Sequence, residues 1–352
     1  MIHLKEFALP LLAICSLVAC SAVKAQVLDR GVPNHFALAA AQTTPAGSQA
    51  PALTKADIDR MRKELSNWGR WGADDELGAV NLITPAKRIE AARLVKEGIA
   101  VSLAHNESTE LAPDNNHPLD HKMLMTGATP NEIFALDQYS EAFHGLGMTH
   151  LDALAHMMGG DQLYNGFSRN TVTDTGAEKA SVLALKGGIF TRGVLFDIPR
   201  LEGKPYLDLT EKIYPADLDR WAKEAGVMVE PGDVVLIRTG RWERREKLGP
   251  WNLGESSPGL DASCAVWLHK HDVAVLGSDV ESDVLPSPIA GVPMPVHLLV
   301  LNTMGMPIID NMDLERVAQV AAQQHRWEFL LTLAPEAVPG GTGSPINPTA
   351  IF

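Results

Sequence analysis

Thirteen consecutive residues, His144-Gly145-Leu146-Gly147-Met148-Thr149-His150-Leu151-Asp152-Ala153-Leu154-Ala155-His156, hold three histidines and one carboxylate. On a strand, side chains two apart point to the same face, so His150 and Asp152 aim together. On a helix, side chains four apart share a face, so Asp152 and His156 do as well. A strand that turns into a helix near Asp152 therefore directs all three side chains at one point. Neutral imidazole and carboxylate are together ligands for zinc, manganese or iron. Gly145 and Gly147 let the backbone approach closely or adopt positive φ, as a crowded site needs.

The flanking sequence alternates helix and strand patterns. Thr54 caps a helix carrying Ile58, Met61 and Leu65 at helical spacing. Thr84 and Pro85 open a second helix, Gly98 stops it, and a strand follows over 99–104. Residues 105–130 show little periodicity and include His105, His117 and His121. Pro118 argues against a helix joining His117 to His121, so these two line a substrate mouth or sit in solvent. Strands are expected at 132–138, 194–198, 234–238, 273–276 and 326–333. Helices are expected from Pro215, from Asp261 to Lys270 and from Leu314 to Gln324. The charged run Arg241 to Lys247 reads as a solvated face, and His269 and His271 as partners of a helix dipole. The alternation predicts an α/β domain whose sheet is buried by helices.

Both ends look different from the middle. Lys5 precedes an apolar run from Phe7 to Ala19, shorter than the ~20 residues of a membrane span. Residues 1–25 therefore read as an export signal, with cleavage after Val23-Lys24-Ala25. Leu17-Val18-Ala19-Cys20 offers a lipobox instead, which would leave a lipid anchor on Cys20. Either way the expected location is the periplasm, free or membrane-anchored. Residues 26–53, rich in Ala, Gln, Thr and Pro, read as a flexible linker. The folded domain is expected over 54–335, and the Pro- and Gly-rich tail over 336–352 is expected to fray. Beyond the signal, Cys264 is the one cysteine, which excludes an intramolecular disulfide and a cysteine-based zinc site. Its apolar neighbours mark it as a buried small hydrophobe. A net charge of −13 without a basic run argues against a nucleic-acid partner.

The central stretch resembles the signature of the cyclase-type metal-dependent hydrolase family, H-x-G-T-H-x-D-x-P-x-H. Thr149, His150, Asp152 and His156 match it in order and spacing. The family's first histidine falls on Leu146, and the nearest substitute is His144, two residues earlier, which needs a local bulge to take its place. The family's proline falls on Leu154. Trp71 to Gly78, followed by Asn81-Leu82, resembles the N-terminal hallmark of the family's longer branch. Gly193 to Asp197 and Gly232 to Gly240 resemble its internal strands, and His297 and Asp310 with Asn311 its downstream His and acid. The resemblance spans roughly 57–335.

It implies a swivelling β/β/α fold with a mixed sheet flanked by helices, and a homodimer or higher homo-oligomer. It also implies one or two divalent ions, Zn or Mn. His144, His150 and Asp152 would surround one, with Asp152 bridging to a second held by His297 and Asp310. Asp279 lies near where some relatives place a further ligand, and otherwise caps the loop after a strand. His156 would be the catalytic proton-transfer residue. The implied activity is hydrolysis of a small carbonyl substrate, an amide, lactam or lactone, of which aryl formamides and cyclic imides are the family's examples. Two other readings stay open. One is a non-catalytic periplasmic metal- or ligand-binding protein on the same fold. The other is a serine hydrolase built on Gly254 to Gly259, which does not match G-x-S-x-G.

Overall fold

Two apolar runs set the centre of the molecule. Val194-Leu195-Phe196 and Val234-Val235-Leu236-Ile237 are buried on both faces, as a parallel strand covered by helices must be. The structure is a computed structural model that describes residues 52–131 and 133–352. The expected export signal, Cys20 and nearly all of the expected linker lie outside the described residues. No helix among the described residues is long and apolar enough to cross a membrane.

Eleven strands carry the argument: β1 (Ala100–Ser102), β2 (Asp120–Met125), β3 (Leu136–Ser140), β4 (His150–Asp152), β5 (Ile189–Asp197), β6 (Val234–Arg238), β7 (Val275–Ser278), β8 (Ile308–Asp310), β9 (Glu328–Leu333), β10 (Gly343–Pro345) and β11 (Thr349–Ile351). Nine of them form one mixed sheet in the order β1-β11-β9-β5-β6-β7-β8-β4-β10. Strands β5 to β8 run parallel, and antiparallel strands complete both sides. The flanking helices are α1 (Lys55–Glu64), α2 (Pro85–Ala92), α3 (Pro215–Ala225), α4 (Arg241–Leu248), α5 (Cys264–Lys270) and α6 (Glu315–Gln324). Helices α2 and α3 pack on β5. The chain thus forms the expected α/β domain with a mixed sheet flanked by helices.

Local signals decide the helix starts. Thr54 and Asp57 make a reciprocal capping box on α1. Thr84 caps α2, with Pro85 at its first position. Helix α3 ends on Gly226 at φ 68°, the left-handed stop that glycine adopts at least cost. Cys264 is buried, as expected, with its Sγ donating to the Ile213 carbonyl at 3.2 Å.

Four expectations are corrected. The tail does not fray, because β10 pairs with β4 and β11 pairs with β1 and β9. The strand expected at 132–138 does not lead into the sheet. Its observed counterpart β3 pairs with β2, from the supposed aperiodic region, in a separate exposed hairpin. No helix follows Asp152, because the next amides are taken elsewhere: Ala153 N–H donates to Thr342 and Ala155 N–H to Ala180. The run from Arg241 is helical but not wholly solvated, since Arg241 is 1% exposed.

Beneath β5 lies a buried ionic cluster. Asp233, fully buried, accepts from Arg192 Nη2 at 2.6 Å and Nε at 3.0 Å, and Lys87 Nζ stands 2.8 Å away. Removing one partner strands the other charges in low dielectric. Asp233→Ala is therefore expected to destabilise the protein by about 3–5 kcal/mol in urea unfolding. A change of well under 1 kcal/mol would show that the cluster is not coupled to the fold.

Candidate metal centre

Strand β4 lies between β8 and β10, with His150 opposite Asp310 on one side and Pro345 on the other. Its alternation does what its sequence dictates: Leu151 points into the core, and His150 and Asp152 point together to the other face. Asp152 is 1% exposed and sits at the centre of the cluster. Around it, His144 Nδ1 lies 2.8 Å from Oδ1, and His150 Nε2 lies 3.5 Å from the same oxygen. His297 Nε2 and His156 Nε2 stand 3.7 Å and 3.8 Å from Oδ2. Oδ1 is buried and has no hydrogen-bond partner. A turn closed by His156 N–H donating to Ala153 carries His156 back to Asp152, in place of the expected helix. The rings of His144 and His156 stack at 4.1 Å.

Each donor is held by a partner of its own. His150 Nδ1 lies 2.9 Å from the Met148 carbonyl. A carbonyl can only accept, so Nδ1 carries the proton and Nε2 offers its lone pair to the site. Asp283 organises His297: it accepts from the Val296 and His297 amides at 2.7 Å and 3.0 Å, and its Oδ2 lies 2.7 Å from His297 Nδ1. His297 Nε2 is thereby turned towards Asp310, whose Oδ2 lies 3.2 Å away. Ser282 Oγ donates to the other Asp310 oxygen at 3.0 Å. Carboxylate or carbonyl partners of this kind orient imidazoles at metal sites.

The loop before β4 is pinned from β6 and β8. The buried Arg241 guanidinium donates to the Leu146 carbonyl and to Asn311 Oδ1, and Asn311 Nδ2 donates to the Gly145 carbonyl at 2.9 Å. Asn311 itself adopts φ 58°, where asparagine is tolerated better than most residues. Asp279 accepts from the Thr239, Gly240 and Arg241 amides, so it caps the entry to α4.

All five expected donors, His144, His150, Asp152, His297 and Asp310, are brought together with His156. Two sets have donor atoms within 4.8 Å of one another: His144, Asp152 and His156, and His150, Asp152 and Asp310. This grouping places His156 beside His144 and not apart from the expected ligands. A buried carboxylate oxygen without a hydrogen-bond partner, ringed by imidazoles, fits a divalent cation in its chemistry. The other histidines stand elsewhere. His105 stacks on Trp242 at 3.5 Å with Nδ1 2.9 Å from Asp313, His117 is exposed, and His121 pairs with Asp137 on the hairpin. Ser257 Oγ is buried and donates to the Pro258 carbonyl.

The family model described as "Putative cyclase" matches residues 33–282. The chain belongs to the cyclase family. A solved structure described as a novel cyclase is 32% identical to this chain, and the match covers 83% of this chain and 99% of the other, with a TM-score of 0.76. Isatin hydrolase A from Ralstonia solanacearum shares the fold at 19% identity and a TM-score of 0.54, covering 76% of this chain and 97% of its own. Isatin hydrolase A from Labrenzia aggregata, bound to benzyl benzoate, does so at 20% identity and a TM-score of 0.52, covering 74% and 94%. No curated protein matches the chain.

The charges of the cluster are strongly coupled. Burial raises the Asp152 carboxyl, but His156 foremost, then the other imidazoles, hold it well below the usual carboxylate range. Burial also lowers His156 to about 4, with the other imidazoles adding to it and Asp152 opposing it. His297 goes the other way: burial lowers it, but Asp310 and Asp283 outweigh burial and raise it well above the usual histidine range. In the metal-free protein, His156 is expected to stay neutral down to about pH 4 while His297 keeps its proton above neutrality. Long-range proton–nitrogen NMR of the imidazoles reads both. Two rings titrating together near the ordinary value of about 6.5 would contradict this account.

Proposed function

We infer that this protein is a metal-dependent hydrolase of a small cyclic amide, lactam or lactone, or of an aryl formamide. The observation that carries the reading is Asp152, buried and short of hydrogen bonds, with the donor atoms of His144, His150, His156, His297 and Asp310 converging on it. The isatin hydrolases that share the fold are named for isatin, a cyclic amide, which supports a C–N bond within a ring as the point of cleavage. His144, His150, Asp152, His297 and Asp310 would hold one or two divalent ions, Zn or Mn. Such an ion lowers the pKa of coordinated water to about 7 and polarises a carbonyl.

The remaining work falls to the chain's own residues. His156 is half-buried and neutral well below pH 7. Its ring can therefore accept a proton from the attacking water and return it to the leaving nitrogen as the C–N bond breaks. Acid–base help of this kind is worth about 10²–10⁴-fold, and most for a poor leaving group such as an amide nitrogen. Asp283 and Met148 hold their imidazoles so that the nitrogens facing the cluster do not swing away.

The test couples elemental analysis with turnover of cyclic imides, lactones and aryl formamides. Protein purified without chelator is expected to carry a divalent transition metal, and Asp152→Ala to lose metal and activity together. His156→Ala is expected to keep its metal and lose kcat by about 10²–10⁴-fold, less for an activated ester. If His156→Ala loses its metal instead, His156 is a ligand. If metal and full activity both survive, this mechanism fails. A protein that binds metal but turns over none of these substrates would favour the binding-protein reading.

The same reading expects a homo-oligomer. It is supported by the hairpin β2–β3 and the loop before β3, which leave Met123, Leu124, Phe134 and Tyr139 exposed, as an interaction surface would. Sedimentation of the full chain is expected to show a dimer or larger species, and replacing Leu124 and Phe134 by serine to shift it towards monomer. A wild-type monomer at micromolar concentration would contradict this.

A further inference from the structure

The C-terminal segment reaches the cluster from the side opposite β8. Thr342 is fixed by the main chain, its carbonyl accepting from the Ala153 amide at 2.9 Å just past β4. From there Thr342 Oγ1 lies 3.0 Å from His144 Nε2. The next residue, Gly343, lies under the same ring: a Cβ there would stand 2.7 Å from His144 Cε1 and 2.5 Å from the Leu151 carbonyl oxygen. His144 itself belongs to no helix or strand, so its ring needs this restraint from outside its own segment.

A hydroxyl can accept as well as donate, so it can take the proton of the outer nitrogen. If Nε2–H donates to Thr342 Oγ1, then Nδ1 carries the lone pair, and Nδ1 is the atom 2.8 Å from Asp152. This matters more here than in a chain with histidine at position 146. Leu146 occupies that position, and its carbonyl is tied to Arg241 and that of Gly145 to Asn311. The ring therefore arrives from two residues earlier.

We propose that Thr342 and Gly343 are positioning residues that hold His144 in the orientation and tautomer in which Nδ1 is a metal donor. The proposal rests on the metal reading above. Thr342 supplies the hydrogen-bond partner to the outer nitrogen, and Gly343 supplies the space. Outer partners of this kind typically change metal affinity by 10–100-fold.

Co2+ titration of metal-stripped, full-length protein tests it, followed by the visible absorption of the bound ion, with thermal unfolding of the metal-free protein alongside. Thr342→Val is expected to weaken Co2+ binding by about 10–100-fold and to alter the visible band, with the metal-free Tm unchanged. Thr342→Ser is expected to restore wild-type affinity. Gly343→Ala is expected to weaken binding as well, but its clash with Leu151 also threatens the fold, so Thr342→Val is the deciding variant. If Thr342→Val titrates like wild type while His144→Ala is weakened, the proposal is overturned and the metal reading stands. If His144→Ala titrates like wild type, His144 is no donor, and the proposal fails again without the metal reading. If Thr342→Val lowers affinity and metal-free Tm together and serine does not rescue it, the role is merely structural and the proposal is overturned. Wild-type protein that takes up no Co2+ overturns both.

Discussion

The constraint on which the centre depends is the burial of one carboxylate. A charged group moved out of water is costly unless it is paired, and Asp152 is 1% exposed. The surrounding imidazoles keep it ionised, and they do so unequally. His297 holds a proton, because Asp283 and Asp310 flank it, while burial keeps His156 neutral. The result is a buried anion next to a ring of imidazole nitrogens and a second carboxylate. That combination is poorly satisfied by protein groups alone, and a small divalent cation satisfies it well.

The sheet exists around this constraint in a concrete sense. Strand β4 has three residues, too few to be stable unless neighbours on both sides hold it. Strand β8 delivers Asp310 and Asn311, and β10 brings Thr342 and Gly343. The parallel strands β5 to β7 lie further in and supply the apolar mass. They contribute to the centre through the segments that follow them: Arg241 after β6, and Ser282 and Asp283 after β7.

What the sequence made legible follows from the range of the interactions. The shared face of His150 and Asp152 is a period-two property of three residues, and it was readable. So were the capping box at Thr54, the Thr84–Pro85 start and the strand over 234–238, all local signals. The helix expected after Asp152 was not formed, because Thr342 and Ala180 take the amide hydrogens, and neither is near in sequence. Arg241 looked like part of a solvated charged run because its partners, Leu146 and Asn311, are tertiary. Asp283 carries no local signal for the same reason: fourteen positions separate it from His297, with no periodicity to mark the pair. The Pro and Gly content of the tail suggests fraying, yet Gly343 lies where the His144 ring leaves no room for a Cβ. Sequence spacing located the donors and left hidden the groups that orient them.

The position of β10 at the sheet's far edge has a temporal consequence. His144 and Thr342 are 198 positions apart, and Ala153 pairs with the same distant segment. During synthesis the motif emerges long before the strand that steadies it, and non-local strand pairing is slow compared with local helix formation. Most of the histidines are therefore present in the nascent chain without the geometry that makes them a cluster. The centre is complete only once β10 has joined the sheet, and is not a local structure of the motif alone.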